Sequence, residues 1–270
     1  PIVTSVRAIN RNGSIVISKT DSVRIEAKLS DNKGVRGLKL EYFYDNLEKE
    51  GETKVQQEMT LSSGVWEHTL PKKTDRTLVR YRLLADFGKG SEIISPRPSD
   101  PYKWHAYFVM PRSTGSNRYF ELMVPRAGTS QLAKNMSANP RSGYRPARNV
   151  KPRGPWNDTV HGILVHEGVV RDVYARWNGS FYRRNSGRNS WKIRLPRYNR
   201  FDGQSDLMFT DKDNVTVAGH ALYRALGLPT SNTEWIDVSI NKRKMRRLLV
   251  EDHNDRMLER YHEDQMRRNP

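Results

Sequence analysis

The stretch Ser22-Val23-Arg24-Ile25-Glu26-Ala27-Lys28-Leu29 alternates apolar and polar residues. Because successive side chains of a β-strand point to opposite faces, Val23, Ile25, Ala27 and Leu29 would share one buried face. The charged residues between them would face water. The pattern predicts a strand with one face in a hydrophobic core.

The same alternation recurs through the first 111 residues, between turn clusters such as Ser62-Ser63-Gly64. It predicts further strands at Val35–Tyr44, Lys54–Leu61, Val65–Leu70, Thr77–Phe87 and Trp104–Val109. Short alternating strands without a helical period are typical of a β-sandwich. The segment from Asp21 through Trp66 to Asp86 resembles the immunoglobulin-like modules that precede other domains in bacterial surface proteins. We therefore expect an all-β immunoglobulin-like sandwich over residues 1–111 and a linker over 112–118.

The remainder, residues 119–270, mixes strand and helix patterns and predicts an α+β domain. A helix over Val215–Leu226 should end at Gly227, which suits a left-handed position, and Pro229 prevents its continuation. The other predicted elements are a strand at Tyr119–Val124, a helix at Thr129–Met136, a loop at Pro140–Pro155, a hairpin of Val160–His166 and Val169–Trp177, strands at Trp235–Ile240 and Met245–Glu251 with Lys242–Lys244 as their turn, and a closing helix at Arg256–Met266.

Positive charge is concentrated in one segment. The chain carries 47 Lys and Arg against 30 Asp and Glu, a net charge of +17. The segment Arg141–Arg200 alone holds 14 basic and 3 acidic residues. Such a cluster attracts anionic partners, whether nucleotides, nucleic acids or acidic substrates. Charge by itself does not choose among them.

Composition excludes several classes of protein. With no cysteine, the chain has no disulfide, thiol nucleophile, zinc finger or iron–sulfur site. No apolar run approaches the roughly 18 residues of a membrane span, and the first residues do not read as a signal peptide. His161 and His166, five positions apart on a predicted strand, fall on opposite faces, so no metal site is predicted there. The start without Met and the end after a helical pattern suggest a fragment.

One constellation has the residue types of a phosphate-binding site. Arg176-Trp177-Asn178-Gly179-Ser180 leads through a basic turn that contains Arg188 into Ser190-Trp191-Lys192-Ile193-Arg194-Leu195. Small residues let backbone N–H groups approach phosphate oxygens, while Arg and Lys neutralise their charge. The constellation fits a nucleotide cradle, but it also fits an ordinary basic β-hairpin with a polar turn. Walker, Gly-x-Gly-x-x-Gly and Gly-x-Ser-x-Gly motifs are absent.

The order of these pieces resembles the spore coat protein H (CotH) kinase-like family. The resemblance runs from about Tyr119 to His262 and includes the Ser-Trp-Lys-Ile strand, Phe201-Asp202-Gly203, the helix end Leu226-Gly227-Leu228-Pro229 and Leu248-Leu249-Val250-Glu251. It implies an atypical protein kinase of bacterial spores or cell surfaces, hence extracellular or surface-located, that uses ATP and a divalent metal (Mg or Mn) to phosphorylate Ser/Thr of a protein substrate.

The resemblance also implies roles for individual residues. Arg176, Asn178, Gly179 and Ser180 would face the phosphates, with Arg188 in the same cradle and Lys192 beside the nucleotide. Glu251 would be the catalytic-site carboxylate that orients Lys192, as a Lys–Glu pair does in protein kinases. On the residues alone, Glu251 could equally be a strand-end carboxylate that faces solvent or Arg246.

The chain departs from the family at several points. Its loop reads Arg-Trp-Asn-Gly-Ser where the family commonly has Arg-Gly-Asn-Ser-Ser, and Asn189 stands where a lysine is common. The metal-binding and catalytic aspartates of the family lie beyond Glu251 and are not expected within this chain, so we expect no phosphotransfer by the chain alone. The alternative is a non-enzymatic surface module that binds polyanions through the Arg141–Arg200 cluster, with aromatic residues such as Trp177 and Tyr182 stacking on bases or sugars.

Overall fold

A computed structural model describes residues 2–49, 51–112, 115–137, 157–179, 190–211, 214–252 and 255–268. In these ranges the protein is mostly β, with sixteen strands and three short helices. The chain forms two compact units, Pro1–Thr114 with Val165–Val170, and Gly115–Leu164 with Arg171–Pro270. The predicted domain limits of 1–111, 112–118 and 119–270 stay predictions.

The first unit contains nine of the described strands: β1 (Val3–Ile9), β2 (Val23–Leu29), β3 (Gly37–Asp45), β4 (Val55–Glu58), β5 (Thr60–Ser62), β6 (Val65–Leu70), β7 (Leu78–Asp86), β8 (Ser91–Ser95) and β9 (His105–Phe108). They form two antiparallel sheets, in the orders β1-β2-β6-β5 and β4-β3-β7-β8, with β9 also paired to β7. One hydrophobic cluster draws on both sheets, including Ile25 and Trp66 from one and Leu40 and Tyr81 from the other.

The opening stretch of sequence forms β2 as predicted. Val23, Ile25 and Ala27 are buried, while Arg24 and Lys28, at alternate positions on the other face, are exposed. The two sheets and their shared core give the β-sandwich-like arrangement that the alternation predicts, and the finer immunoglobulin-like assignment stays a prediction.

The second unit is built on a closed barrel of seven of the described strands. They are β10 (Tyr119–Met123), β11 (Val160–His166), β12 (Val169–Asn178), β13 (Ser190–Arg194), β14 (Asp206–Thr210), β15 (Thr233–Ile240) and β16 (Arg243–Glu251). Their order around the barrel is β10-β11-β12-β13-β14-β16-β15, and the barrel closes through a parallel pair, β10 with β15. The described helices are α1 (Arg126–Ser137), α2 (Asn214–Ala225) and α3 (Asp255–Arg268).

Inward-pointing aromatic and aliphatic side chains fill the barrel. The ring of Phe120 lies 5.4 Å from that of Phe201 and 5.3 Å from that of Phe209, measured between centroids. Ile193, Leu207 and these phenylalanines belong to one buried cluster. This core defines the inner face of every strand that contributes to the candidate site.

One local prediction needs correction. The β15–β16 turn does not lie at Lys242–Lys244, because Asn241 and Lys242 are the residues with positive φ, of 48° and 73°, and β16 already begins at Arg243. Two consecutive left-handed residues are the geometry of a tight hairpin turn, in which Asn is favoured. The predicted loop at Pro140–Pro155 lies entirely within residues 138–156, outside the described residues, and stays a prediction.

The end of α2 confirms its predicted stop signal. Gly227 has a φ of 71°, and its N–H donates to the carbonyl oxygen of Arg224. Leu228 N–H reaches back to the carbonyl oxygen of Tyr223. The glycine thus takes the left-handed position that closes the last turn of a helix.

Candidate functional site

Arg176 and Lys192 are direct neighbours on adjacent strands. The antiparallel register of β12 and β13 pairs Arg176 with Lys192 and Asn178 with Ser190. Side chains of directly opposed residues lie on the same face of a sheet. The alternate pair, Ala175 with Ile193, is fully buried in the barrel core. The two cations therefore share the outer face of the barrel.

Two carboxylates meet the cations on this face. Lys192 Nζ donates to Asp252 Oδ2 at 2.6 Å and lies 3.8 Å from Asp206 Oδ1. Arg194 Nε lies 3.7 Å from the same Asp206 oxygen. We call Arg176, Lys192, Arg194, Asp206 and Asp252 the outer-face cluster; its three cations and two carboxylates leave a formal charge of +1.

Burial makes this face an unfavourable place for a positive charge without a counter-ion. Desolvation lowers the pKa of Arg176, and the positive charge of Arg194 lowers it further, while Asp206 and Asp252 act in the opposite direction. The guanidinium remains protonated, because arginine titrates far above neutral pH. The net lowering means that Asp206 and Asp252 do not fully offset the loss of solvation at Arg176.

The turn that follows β12 is described only at its start. Gly179 has a φ of 101°, a conformation that favours glycine, and Asn178 ends the strand directly before it. Ser180 and Arg188 lie in 180–189, outside the described residues, so their predicted place in the cradle stays a prediction. The structure thus brings together Arg176 and Lys192, with Asn178 and Gly179 at the end of the same strand.

Glu251 lies on the other face of the sheet. On one face, the register places Lys192 opposite Met208 and Met208 opposite Val250. On the other face, it places Ile193 opposite Leu207 and Leu207 opposite Glu251. Glu251 consequently points to the side of the barrel interior and Lys192 to the outside. The predicted pairing of Lys192 with Glu251 is wrong, since the lysine binds Asp252 instead.

Glu251 is held by four hydrogen bonds from three residues. Arg260 donates through Nη2 at 2.6 Å and Nε at 3.3 Å, Gln204 Nε2 at 3.1 Å, and the Asn232 backbone N–H at 3.0 Å. The side chain of Glu251 is only 5% exposed. The alternative expectation, a carboxylate that faces solvent or Arg246, is therefore wrong as well.

The pKa of Glu251 reflects these contacts. Burial alone would raise it, but the hydrogen bonds from Arg260, Asn232 and Gln204 and the charge of Arg260 together lower it below its usual range. The carboxylate is ionised at neutral pH and satisfied by its partners. It ties the end of β16 to α3 and to the segments around Gln204 and Asn232, which is a structural role.

A cavity of about 780 Å³ opens beside Glu251 at this end of the barrel. Apolar side chains of the core, Leu207, Leu249 and Phe201, form part of its wall. Arg118 lines it as well, binds Glu234 through Nε at 2.8 Å and through Nη2, and lies 3.2 Å from Asp202. Lys192 and Arg176 are not among the lining residues, so the cavity and the outer-face cluster are separate features.

Asp252 and Asp206 are the members of the outer-face cluster that sequence reasoning missed. Asp252 follows Glu251 directly and therefore has the opposite orientation along an extended chain. Alternation along the strand could have identified it. Because Leu249 is buried, Glu251, two positions further on, should face the same way, and Asp252 should face the opposite way. Asp206 opens a strand, β14, that the apolar pattern did not predict.

The described residues offer no metal site. Within them, no group of three or more His, Asp or Glu side chains is placed to hold an ion. The two carboxylates nearest the cations, Asp206 and Asp252, are engaged by Lys192. His161 and His166 each approach a carboxylate instead, Asp172 at 3.3 Å and Glu167 at 3.8 Å. This part of the chain does not fit the divalent metal that the family resemblance implies.

None of the described helices, the longest of which has 14 residues, has the length and apolar character that a transmembrane helix requires. Compared with known proteins, the chain matches no family model and no curated protein.

Proposed function

We propose that the barrel is the nucleotide-holding part of an atypical protein-kinase-like enzyme of the CotH type. In its complete form this enzyme would transfer phosphate from ATP to Ser/Thr of a bacterial surface or secreted substrate. The observation that carries the proposal is the cross-strand pair of Arg176 and Lys192 on one half-buried face. The left-handed Gly179 at the end of the same strand supports it.

Two neighbouring cations are a suitable receptor for a polyphosphate. A guanidinium offers paired donors to two oxygens, and an ammonium adds a compact charge. Because the face is poorly solvated at Arg176, contacts with phosphate oxygens are stronger there than in bulk water. A glycine with positive φ permits close approach of a phosphate to the backbone.

Asp252 takes the orienting role that the sequence assigned to Glu251. Its carboxylate accepts a hydrogen bond from Lys192 Nζ and fixes the position of the ammonium group. A Lys–carboxylate pair of this kind positions α/β-phosphates in protein kinases. Glu251 instead accepts hydrogen bonds from Arg260, Gln204 and Asn232.

Phosphotransfer requires parts that the described residues do not provide. These residues hold no cluster of side chains suited to a metal ion, and the aspartates closest to Lys192 are already paired with it. The proposal accordingly predicts nucleotide binding by this chain and phosphotransfer only by a longer protein that supplies the metal-binding and catalytic aspartates.

The test is equilibrium binding of ATP to the purified chain by isothermal titration calorimetry. Lys192→Ala and Arg176→Ala should each weaken binding at least tenfold, since a hydrogen bond to a charged group is worth about 1.5–3 kcal/mol. Lys192→Arg, which keeps the charge, should retain part of the affinity. Lys244→Ala, which removes one charge from an exposed residue of β16, is the matched control and should bind like the parent chain.

Equal affinity of the parent, Lys192→Ala and Lys244→Ala proteins for ATP would overturn the proposal. The polyanion-binding alternative makes a different prediction. It expects single-stranded DNA or heparin to bind in preference to ATP, with affinity that falls about one log unit per log unit of salt for each phosphate contact. Most of the cluster that would make those contacts lies outside the described residues, so the alternative stays a prediction.

A further inference from the structure

Tyr174 is an exposed aromatic residue on the face of the barrel that carries Arg176 and Lys192. Its neighbours along β12, Val173 and Ala175, are buried in the barrel core, so the alternation of the strand directs Tyr174 outward. Tyr174 is 57% exposed. Large aromatic side chains usually contribute to folding by burying their rings. The ring of Tyr174 does not serve the barrel core in this way.

The strand register places Tyr174 next to the cation pair. Tyr174 lies opposite Arg194, and Arg176 lies opposite Lys192, in successive cross-strand pairs of the same face. Because a strand rises about 3.3 Å per residue, positions 174 and 176 are roughly 6.6 Å apart. The ribose of a nucleotide holds the base at a separation of this order from the first phosphate. A nucleotide with its phosphates at the two cations can therefore bring its base to the Tyr174 ring.

The ring of Tyr174 is open to a stacking partner. Within the described residues its one ring contact is with His161, at 6.4 Å between centroids and an interplanar angle of 82°. Such a perpendicular contact covers at most one face of the tyrosine ring. The side chains on either side are engaged elsewhere, since His161 Nε2 lies 3.3 Å from Asp172 and Arg194 Nε lies 3.7 Å from Asp206. A planar base can therefore approach the other face of the ring.

The other aromatic residues of β12 and β13 belong to the barrel core. Trp191 is buried, and Trp177 packs against the same cluster with its ring nearly perpendicular to that of Trp191. Surfaces that bind single-stranded nucleic acids stack successive bases on several aromatic side chains. One exposed ring among the described residues of these two strands suits a single base, and hence a mononucleotide.

We propose that the ring of Tyr174 stacks on the base of the nucleotide whose phosphates Arg176 and Lys192 hold, so that the ligand is a nucleoside triphosphate rather than inorganic polyphosphate. This inference rests on the proposed function, because it uses the same pair of cations. Stacking requires only the π-face that every base has. The tyrosine thus adds affinity for the base, while the cations bind the phosphates.

The experiment compares ATP, inorganic tripolyphosphate and a single-stranded oligo(dT) by isothermal titration calorimetry at one ionic strength. Tripolyphosphate has the phosphate chain without ribose or base. We expect Tyr174→Ala to weaken ATP binding about five- to tenfold, as the loss of one stacked base should, and to change tripolyphosphate binding less than twofold. Tyr174→Phe keeps the ring and should bind ATP like the parent chain. Lys192→Ala should weaken both phosphate probes.

Tyr223→Ala is the matched control. Tyr223 is a tyrosine of α2 that is 53% exposed, close to the exposure of Tyr174. Its replacement should leave the affinity for ATP and for tripolyphosphate unchanged. An unchanged circular dichroism spectrum, together with retained tripolyphosphate binding, shows that Tyr174→Ala is folded and that its cation pair is intact.

The outcomes separate this inference from the proposed function. ATP binding that Lys192→Ala weakens and Tyr174→Ala leaves intact would overturn the inference alone. Equal weakening of ATP and tripolyphosphate binding by Tyr174→Ala would overturn it too, because the tyrosine would then act on the phosphate site. Loss of affinity for oligo(dT) but not for ATP would overturn it in favour of a nucleic acid. Absence of ATP binding by the parent chain would overturn both the inference and the proposed function.

Discussion

The contact between Glu251 and Arg260 decides whether Glu251 is a scaffold residue or the partner of a lysine, and a double-mutant cycle can measure it. Glu251→Ala removes a carboxylate that is 5% exposed and leaves the Arg260 guanidinium and the Asn232 N–H without their acceptor. Breaking a fully buried ion pair costs about 3–5 kcal/mol. Because the Arg260 side chain is 27% exposed and also donates to the Thr230 carbonyl oxygen, we expect about 3 kcal/mol of lost unfolding free energy.

The assay is urea unfolding followed by circular dichroism. The chain has two units, so two transitions are expected, and the barrel transition is the one that a barrel-core variant such as Phe120→Ala also shifts. The cycle of Glu251→Ala with Arg260→Ala should give a coupling energy of about 2 kcal/mol. The cycle of Glu251→Ala with Lys192→Ala should give less than about 0.5 kcal/mol, since the two side chains lie on opposite faces.

A larger coupling with Lys192 than with Arg260 would refute the register argument and restore the pairing that the sequence predicts. Glu259→Ala, which removes an exposed carboxylate next to Arg260 on α3, serves as the control. It should change the unfolding free energy of the barrel by less than about 0.5 kcal/mol.

Four further outcomes are expected. The pKa of Glu251 is lowered in the folded barrel, so the ionised carboxylate stabilises the barrel above the ordinary carboxyl pKa, and this stabilisation is lost as the pH falls through the lowered value. The free energy of unfolding of the barrel should therefore fall less steeply with acid in Glu251→Gln. Burial lowers the pKa of His105 to about 4, so the first unit should lose stability as the pH falls from about 6.5 to 4, and His105→Gln should flatten this dependence in unfolding midpoints. Phe120→Ala should cost the barrel about 3–5 kcal/mol in urea unfolding, because its fully buried ring contacts two others. Gly227→Ala should cost about 1 kcal/mol in the same assay, since its φ of 71° strains any residue with a Cβ.

Much of the strand pattern could be predicted because one face of each strand is buried. Val65–Leu70 and Val160–His166 agree with the structure at both ends, and β2 differs by one residue. In β2 the period-two burial follows directly from the alternation of the sequence. In Val160–His166 the last five residues are all buried, so there a continuous apolar run rather than alternation marks the strand. The closed barrel could not be predicted in this way, because closure depends on the pairing of β10 with β15, which are more than 100 residues apart.

Three strands escaped prediction, Val3–Ile9, Ser91–Ser95 and Asp206–Thr210. The signal of the first and the last is weak, because Val3–Ile9 has two buried residues, at its end only, and the five residues Asp206–Thr210 contain one short alternation. The strand Asp206–Thr210 matters for the site, since it lies between β13 and β16 and carries Asp206. If this strand is not predicted, no local sequence pattern places Lys192 near Asp206.

For the candidate site, the sequence indicates which residues take part, but it does not fix which of their side chains meet. Counting along one strand assigns a face, so Arg176 and Lys192 can each be placed relative to the buried residues next to them. Whether Lys192 meets position 251 or position 252 depends on the register across two intervening ladders, β13 with β14 and β14 with β16. A shift of one residue in either ladder exchanges the two carboxylates, one of which ends in the barrel and the other on the outer face. The cation pair is therefore a property that local sequence can indicate, whereas the identity of its carboxylate is fixed only by the assembled barrel.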